Sequence, residues 1–282
     1  RDRHYMKEYG GRTVHTRIRS TIKAKKEFEE VGRKVRVYLP IPKVYEQVSN
    51  VEIHASNPEI TYIAPVDAPQ RTVYFETELK ENQEFMVDYS FDYHVDYVEL
   101  DPAKVSEEQP DFYLEEQAPH IVFTPYLREL RDELAGDETN PIILARRFYD
   151  FVTTKVMYSF MREYFTIECI PEYCAINLKG DCGVQALLFI TLCRMSQIPA
   201  RWQSGLYVTK YYTGCHDWAQ FYVAPYGWVF ADLSFGGSAW REGDKERWNY
   251  YFGNLDIFRM PANSEICLLY TSDAADEARS VD

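Results

Sequence analysis

Seven residues between Phe85 and Tyr97 are apolar or aromatic at every second position: Phe85, Val87, Tyr89, Phe91, Tyr93, Val95 and Tyr97. A period of two places one face of a strand on a core and the other toward solvent. The same alternation marks Val14, Thr16, Ile18, Ser20 and Ile22, then Val35, Val37 and Leu39, then Val73, Phe75, Thr77 and Leu79. Pro40, Pro42, Pro58, Pro65 and Pro69 punctuate these runs as turns or edges. Several short strands separated by turn signals predict an all-β sandwich over residues 1–98, with its strands within 11–98.

The pattern breaks at 99–119. Glu99, Asp101, Glu107, Glu108, Asp111, Glu115 and Glu116 face a single Lys104, and Pro102 and Pro110 interrupt any helix. This reads as an acidic linker exposed between two domains. Helical spacing follows. Thr124-Pro125 supplies a cap and a first-turn proline ahead of Leu127, Leu130 and Leu134. Asn140-Pro141 opens a second helix through about Thr153, with Leu144, Phe148 and Val152 inward. A third helix starts near Cys182 and stops before Ile198-Pro199. It is apolar nearly all round, so a central, buried position is expected. Strands are expected at 201–208, 216–224 and 228–233, the last two joined by the turn Ala224-Pro225-Tyr226-Gly227 as a hairpin. Residues 120–266 thus form an α+β domain. The tail 267–282 continues neither pattern and reads as disordered and foreign to the natural chain.

Composition narrows the function classes. The chain has 282 residues, 46% hydrophobic and 27% charged, as a folded globular protein has. A net charge of −13 argues against nucleic acid, which needs a basic face. No apolar run is long enough to span a bilayer. The chain starts at Arg1 without an initiator Met, so it reads as truncated or processed, and both a cytoplasmic and an exported setting stay open. Six cysteines do not make a disulfide scaffold, and no C-x-x-C pair supports structural zinc.

The candidate chemistry lies in three places. Gly180-Asp181-Cys182-Gly183 sets a thiol at a helix start, where unpaired N–H groups and the helix dipole favour a thiolate. His216 is the only histidine after His120, hence the one candidate base in that half of the chain. Asp232, on the neighbouring strand of the expected hairpin, can orient the ring. A thiol nucleophile, a base and an orienting carboxylate are the parts of acyl transfer through a thioester.

Four motifs stand in order: Gly180-Asp181-Cys182-Gly183, Ile198-Pro199-Ala200-Arg201, His216-Asp217-Trp218 and Gly227-Trp228-Val229-Phe230-Ala231-Asp232. With these, the segment from about Val122 to Pro261 resembles the transglutaminase-like core, a branch of the papain-like cysteine enzymes, in its bacterial form. The resemblance implies a Cys182–His216–Asp232 triad that hydrolyses or transamidates amides of peptide or protein substrates, and no cofactor. It also implies an α+β papain-like core preceded by a β-domain. Its oxyanion donors are the backbone N–H of the cysteine and a side chain from the preceding segment. Tyr158 is the first candidate for that side chain, with Tyr164 and Tyr173 behind it, and Trp218 is a candidate wall of the substrate cleft. Calcium regulation, known in animal relatives, has no visible ligand cluster here. The chain departs from the family at Asp217, where many relatives carry a small residue, and at Cys215. Hydrolysis is the default expectation. Transamidation, a non-catalytic binding module on this fold, and a zinc cluster of Cys169, Cys174, Cys182 and His216 are the alternatives.

Overall fold

The computed structural model describes residues 2–266, so the tail from Cys267 lies outside the described residues. The chain opens with α1 (Asp2–Tyr9), an element that the strand pattern does not announce. Six strands follow: β1 (Gly11–Lys23), β2 (Lys34–Pro40), β3 (Val48–Asn57), β4 (Tyr62–Ile63), β5 (Thr72–Glu78) and β6 (Glu84–Asp96). They form two antiparallel sheets, ordered β1-β6-β3 and β2-β5-β4. The period-two residues of β6 point inward, and Phe85 through Val95 at every second position are buried. Leu39, Val73 and Phe75 of the second sheet are buried as well, and the Phe75 and Phe85 rings lie 5.7 Å apart. Two sheets closing on one apolar layer make the expected sandwich.

The second half contains α2 (Pro125–Ala135), α3 (Pro141–Lys155), β7 (Met157–Tyr158), α4 (Ile170–Asn177), β8 (Lys179–Gly180) and α5 (Cys182–Met195). Then come β9 (Ala200–Val208), β10 (Thr213–Val223), β11 (Gly227–Ala231), α6 (Leu233–Arg241), α7 (Lys245–Tyr250), β12 (Phe252–Gly253) and β13 (Arg259–Asn263). Both expected caps form. Thr124 accepts from the Leu127 N–H, and Asn140 accepts from those of Ile142 and Ile143. All residues of α5 are buried: its apolar side chains meet neighbours on every side, and Gln185, Thr191 and Arg194 donate to the carbonyls of Gly180, Leu187 and Ala200. α5 packs against a sheet ordered β12-β11-β10-β9-β13, with Phe189 meeting Phe221 at 5.7 Å. The hairpin of β10 and β11 pairs Val223 with Gly227 and Ala219 with Ala231. Gly227 takes a φ of 80°, in the left-handed region that suits glycine. The result is an α+β core behind a β-sandwich.

The acidic stretch 99–119 lies against this core instead of crossing open solvent. The Asp101 N–H donates to the Tyr226 hydroxyl, Gln109 bonds both backbone groups of Ala224, and Arg194 donates to the Glu115 carbonyl. The two halves share a polar interior. Gln47 donates to Gln203 at 2.8 Å, and the Trp218 indole donates to the same Gln203 oxygen at 2.7 Å. The Lys43 and Arg71 N–H groups donate to the carbonyls of Pro261 and Ala262.

Candidate active site

The nucleophile turn is held from both sides. β7 pairs in parallel with β8, setting Tyr158 opposite Gly180, two residues before Cys182. Asp181 caps α5 by accepting from the Val184 N–H at 3.0 Å, and the Tyr164 hydroxyl donates to the same carboxylate oxygen at 2.5 Å. Cys182 is then the first residue of a 14-residue helix. Gln185 N–H goes to the Asp181 carbonyl, and Val184 N–H to its side chain. The helix has no internal partner for the N–H groups of Cys182 and Gly183, so both are placed to receive a developing oxyanion.

His216 lies on β10 and is buried to 5% exposure. Its ring stacks on Phe235 at 4.4 Å, and its Nε2 lies 2.8 Å from Asp232 Oδ2. Asp232 ends the β11 strand and caps α6, its Oδ1 accepting from the Phe235 N–H at 2.9 Å. It has no solvent exposure. Burial opposes its charge, but His216, Arg259 and these hydrogen bonds outweigh it and hold the carboxyl well below the usual range. An ionised Asp232 can only accept. His216 therefore carries its proton on Nε2 and leaves the Nδ1 lone pair free, as a general base requires.

Cys182 and His216 form no hydrogen bond with each other; the thiol meets the residue after the histidine instead. The Cys182 thiol donates to Asp217 Oδ2 at 3.4 Å, and the Asp217 N–H faces the sulfur. Cys182 is 9% exposed. Burial, then the carboxylates of Asp217 and Asp181, pushes its thiol up from the ordinary value. Burial pushes Asp217 up to about 6, against the pull of His216. Gly183 makes room for this arrangement, since a Cβ there would come within 2.8 Å of Asp217 Oδ2 and would strike the Tyr164 hydroxyl.

The other candidates divide. Tyr158 is half-exposed and its hydroxyl faces Cys182 and Asp181. Burial and those groups push it up to about 12. Tyr164 is committed to Asp181. Tyr173 sits on α4 with the Arg162 guanidinium 5.7 Å from its ring. Trp218 corrects the sequence reading: it is fully buried, its indole bonded to Gln203 on the side facing the β-sandwich, so it offers no surface to a substrate. Strand alternation explains this, because β10 sends His216 and Trp218 to one face and Asp217 to the other.

Arg259 is the residue that sequence reading missed. It is buried, forms an ion pair with Asp232 at 2.7 Å, and grips Asp256 through Nη2 at 2.6 Å and Nε at 3.1 Å. No local motif marks it, because it reaches the site from β13 at the far edge of the sheet. Cys169, Cys174, Cys193 and Cys215 are free thiols, and among the described residues no group of three His, Cys, Asp or Glu side chains is placed to hold a metal ion.

With this geometry in view, the comparisons place the core. Residues 128–233 match the family model described as the transglutaminase-like superfamily, so this stretch carries a transglutaminase-like core. The chain is similar in structure, over 79% of its length, to a candidate cysteine protease from Cytophaga hutchinsonii, with a TM-score of 0.58 and 17% identity, covering 78% of that chain. A weaker likeness, with a TM-score of 0.45 and 15% identity over 77% of this chain and 75% of that one, is to the periplasmic domain of TgpA from Pseudomonas aeruginosa. No curated protein matches the sequence. Among the described residues no helix is long and apolar enough to cross a membrane.

Proposed function

We propose that the protein is a cysteine acyl-enzyme that cleaves amide bonds of peptide or protein substrates. The observation that carries this reading is the His216–Asp232 pair at 2.8 Å, formed beside the residue that touches the Cys182 sulfur. In this reading the thiol and the imidazole come into hydrogen-bond contact in the substrate complex, where Cys182 gives its proton to His216 Nδ1 and attacks the amide carbon. The N–H groups at the start of α5 receive the oxyanion. The imidazolium then protonates the departing amine, leaving a thioester on Cys182. Water, losing its proton to His216, attacks the thioester and releases the acid and the free thiol. Asp232 keeps the ring in the useful tautomer, and Arg259 and Ser234 keep Asp232 in place. Met157, Tyr158 and Phe160, exposed at 58%, 50% and 96%, supply an apolar rim beside the nucleophile and favour a peptide carrying apolar side chains.

Hydrolysis is the favoured outcome, since water needs no second binding site. The test is incubation of the protein with an unfolded protein substrate and a labelled primary amine. New amino termini or released ammonia, without label on the substrate, are expected. Cys182→Ala is expected to reduce turnover by at least about a thousandfold. Label incorporated into glutamine side chains would assign transamidation. Unchanged turnover in Cys182→Ala would remove the enzymatic reading.

A further inference from the structure

We propose that Asp217 is a further catalytic residue: its carboxyl group, in contact with the Cys182 sulfur, holds the proton that decides whether that sulfur can ionise. The inference rests on Cys182 being the nucleophile.

The geometry leaves the carboxyl group few other roles. Asp217 Oδ2 lies 3.4 Å from the sulfur and is the acceptor for its thiol proton. The charged and titratable groups around it come from five places. His216 precedes it on β10, and Asp181 and Cys182 face it from the start of α5. Tyr158 faces it from β7, and Tyr164 from the turn Tyr164–Thr166. Asp232 adds its charge from the far side of His216. The Tyr164 hydroxyl is given to Asp181, and Arg259 to Asp232 and Asp256. His216 is therefore the cation left to balance both Asp217 and a Cys182 thiolate.

One imidazolium cannot support two adjacent anions at low dielectric. With Asp217 ionised, its carboxylate accepts the S–H bond and the proton stays on sulfur. With Asp217 protonated, the thiol proton passes to His216 Nδ1, and the carboxyl O–H turns to donate to the thiolate. The competent site thus holds two protons, one on Asp217 and one on His216, and loses the first as pH rises. Burial raises the Asp217 carboxyl to about 6, so the loss falls in the mildly acidic range.

The test is the rate of iodoacetamide alkylation at Cys182, read by peptide mass spectrometry on the intact protein from about pH 4.5 to about pH 9. In the wild type, reactivity should fall about tenfold per pH unit above pH 6 across the rest of the range, because the thiol itself is held above its ordinary value. In Asp217→Asn, the fall should vanish, leaving the variant about 30-fold more reactive than wild type at pH 7.5. Turnover of an amide substrate should follow the same two profiles. A wild-type rate that climbs steadily with pH overturns the proposal without any variant. So does an Asp217→Asn profile superimposable on the wild type. Failure of the nucleophile assignment looks different: Cys182→Ala would then keep its amide turnover, whatever the alkylation profiles.

Discussion

Asp217 and Asp232 both border His216, and their surroundings push them in opposite directions. Asp232 gains an ion pair, a helix cap and the imidazole, so its lowered carboxyl adds stability above the ordinary carboxylate pKa of about 4 and loses it as pH falls through the lowered value. Asp217 is raised to about 6, so the folded state binds the extra proton. Its sign is reversed: stability is greatest where Asp217 is protonated, declines between about pH 4 and pH 6, and stays reduced above that. A rise of that size corresponds to roughly 3 kcal/mol. Asp217→Asn should therefore be more stable than wild type by up to about 3 kcal/mol at pH 7.5, the difference shrinking toward zero at pH 4. Urea denaturation at the two pH values measures this. A variant less stable than wild type at pH 7.5 would contradict it.

At the scale of elements, the site is an assembly of helix ends. Asp181 starts α5 and sets Cys182 at its N-terminus, while Asp232 starts α6 and receives His216. Both acids do local capping and site work with one carboxylate, so their replacement mixes folding with chemistry. α3 offers a cleaner reading of capping, because it packs behind α5 and α6 and supplies no side chain to the site. Asn140 accepts two N–H bonds there and also donates to the Pro102 carbonyl. Asn140→Ala should cost about 1–2 kcal/mol in urea denaturation, with kcat of the folded enzyme unchanged. A loss below about 0.3 kcal/mol would mean that α3 is held by packing alone. The two caps at Thr124 and Asn140 were legible in the sequence because a cap residue followed by proline is a local signal. α1, α4, α6 and α7 were not, since helices of nine residues or fewer are too short for a repeat of apolar positions to be read and are fixed by what they pack on.

At the scale of the molecule, the β-sandwich is part of the structural support of the site. Trp218, two residues from His216 on the same face, is bonded to Gln203, which is bonded in turn to Gln47 of the sandwich. The Tyr97 and Tyr250 rings stack at 6.4 Å, and Asn254 both donates to and accepts from the Val98 backbone. Separating the halves would strand these buried polar groups, each costing about 1–3 kcal/mol. The chain is therefore expected to unfold in one cooperative calorimetric transition, with alkylation of Cys182 losing its native rate at the same temperature. Two resolved transitions, with the site surviving the first, would show that the core stands without the sandwich.

The alternation of β6, the mostly apolar run of α5, the proline-marked caps and the turn at Gly227 are short-range patterns, so the chain's own order specified the strands, the buried helix and the hairpin. The order of Cys182, His216 and Asp232 marked them as candidates for the proposed chemistry for the same reason, since each lies in a recognisable turn or strand end. Tertiary structure alone decided that Arg259 reaches Asp232 across the sheet, that Trp218 is sealed beneath the sandwich, and that the thiol rests against Asp217. Those outcomes depend on which face of β10 meets α5, and that choice belongs to the packing of distant segments, not to any local spacing.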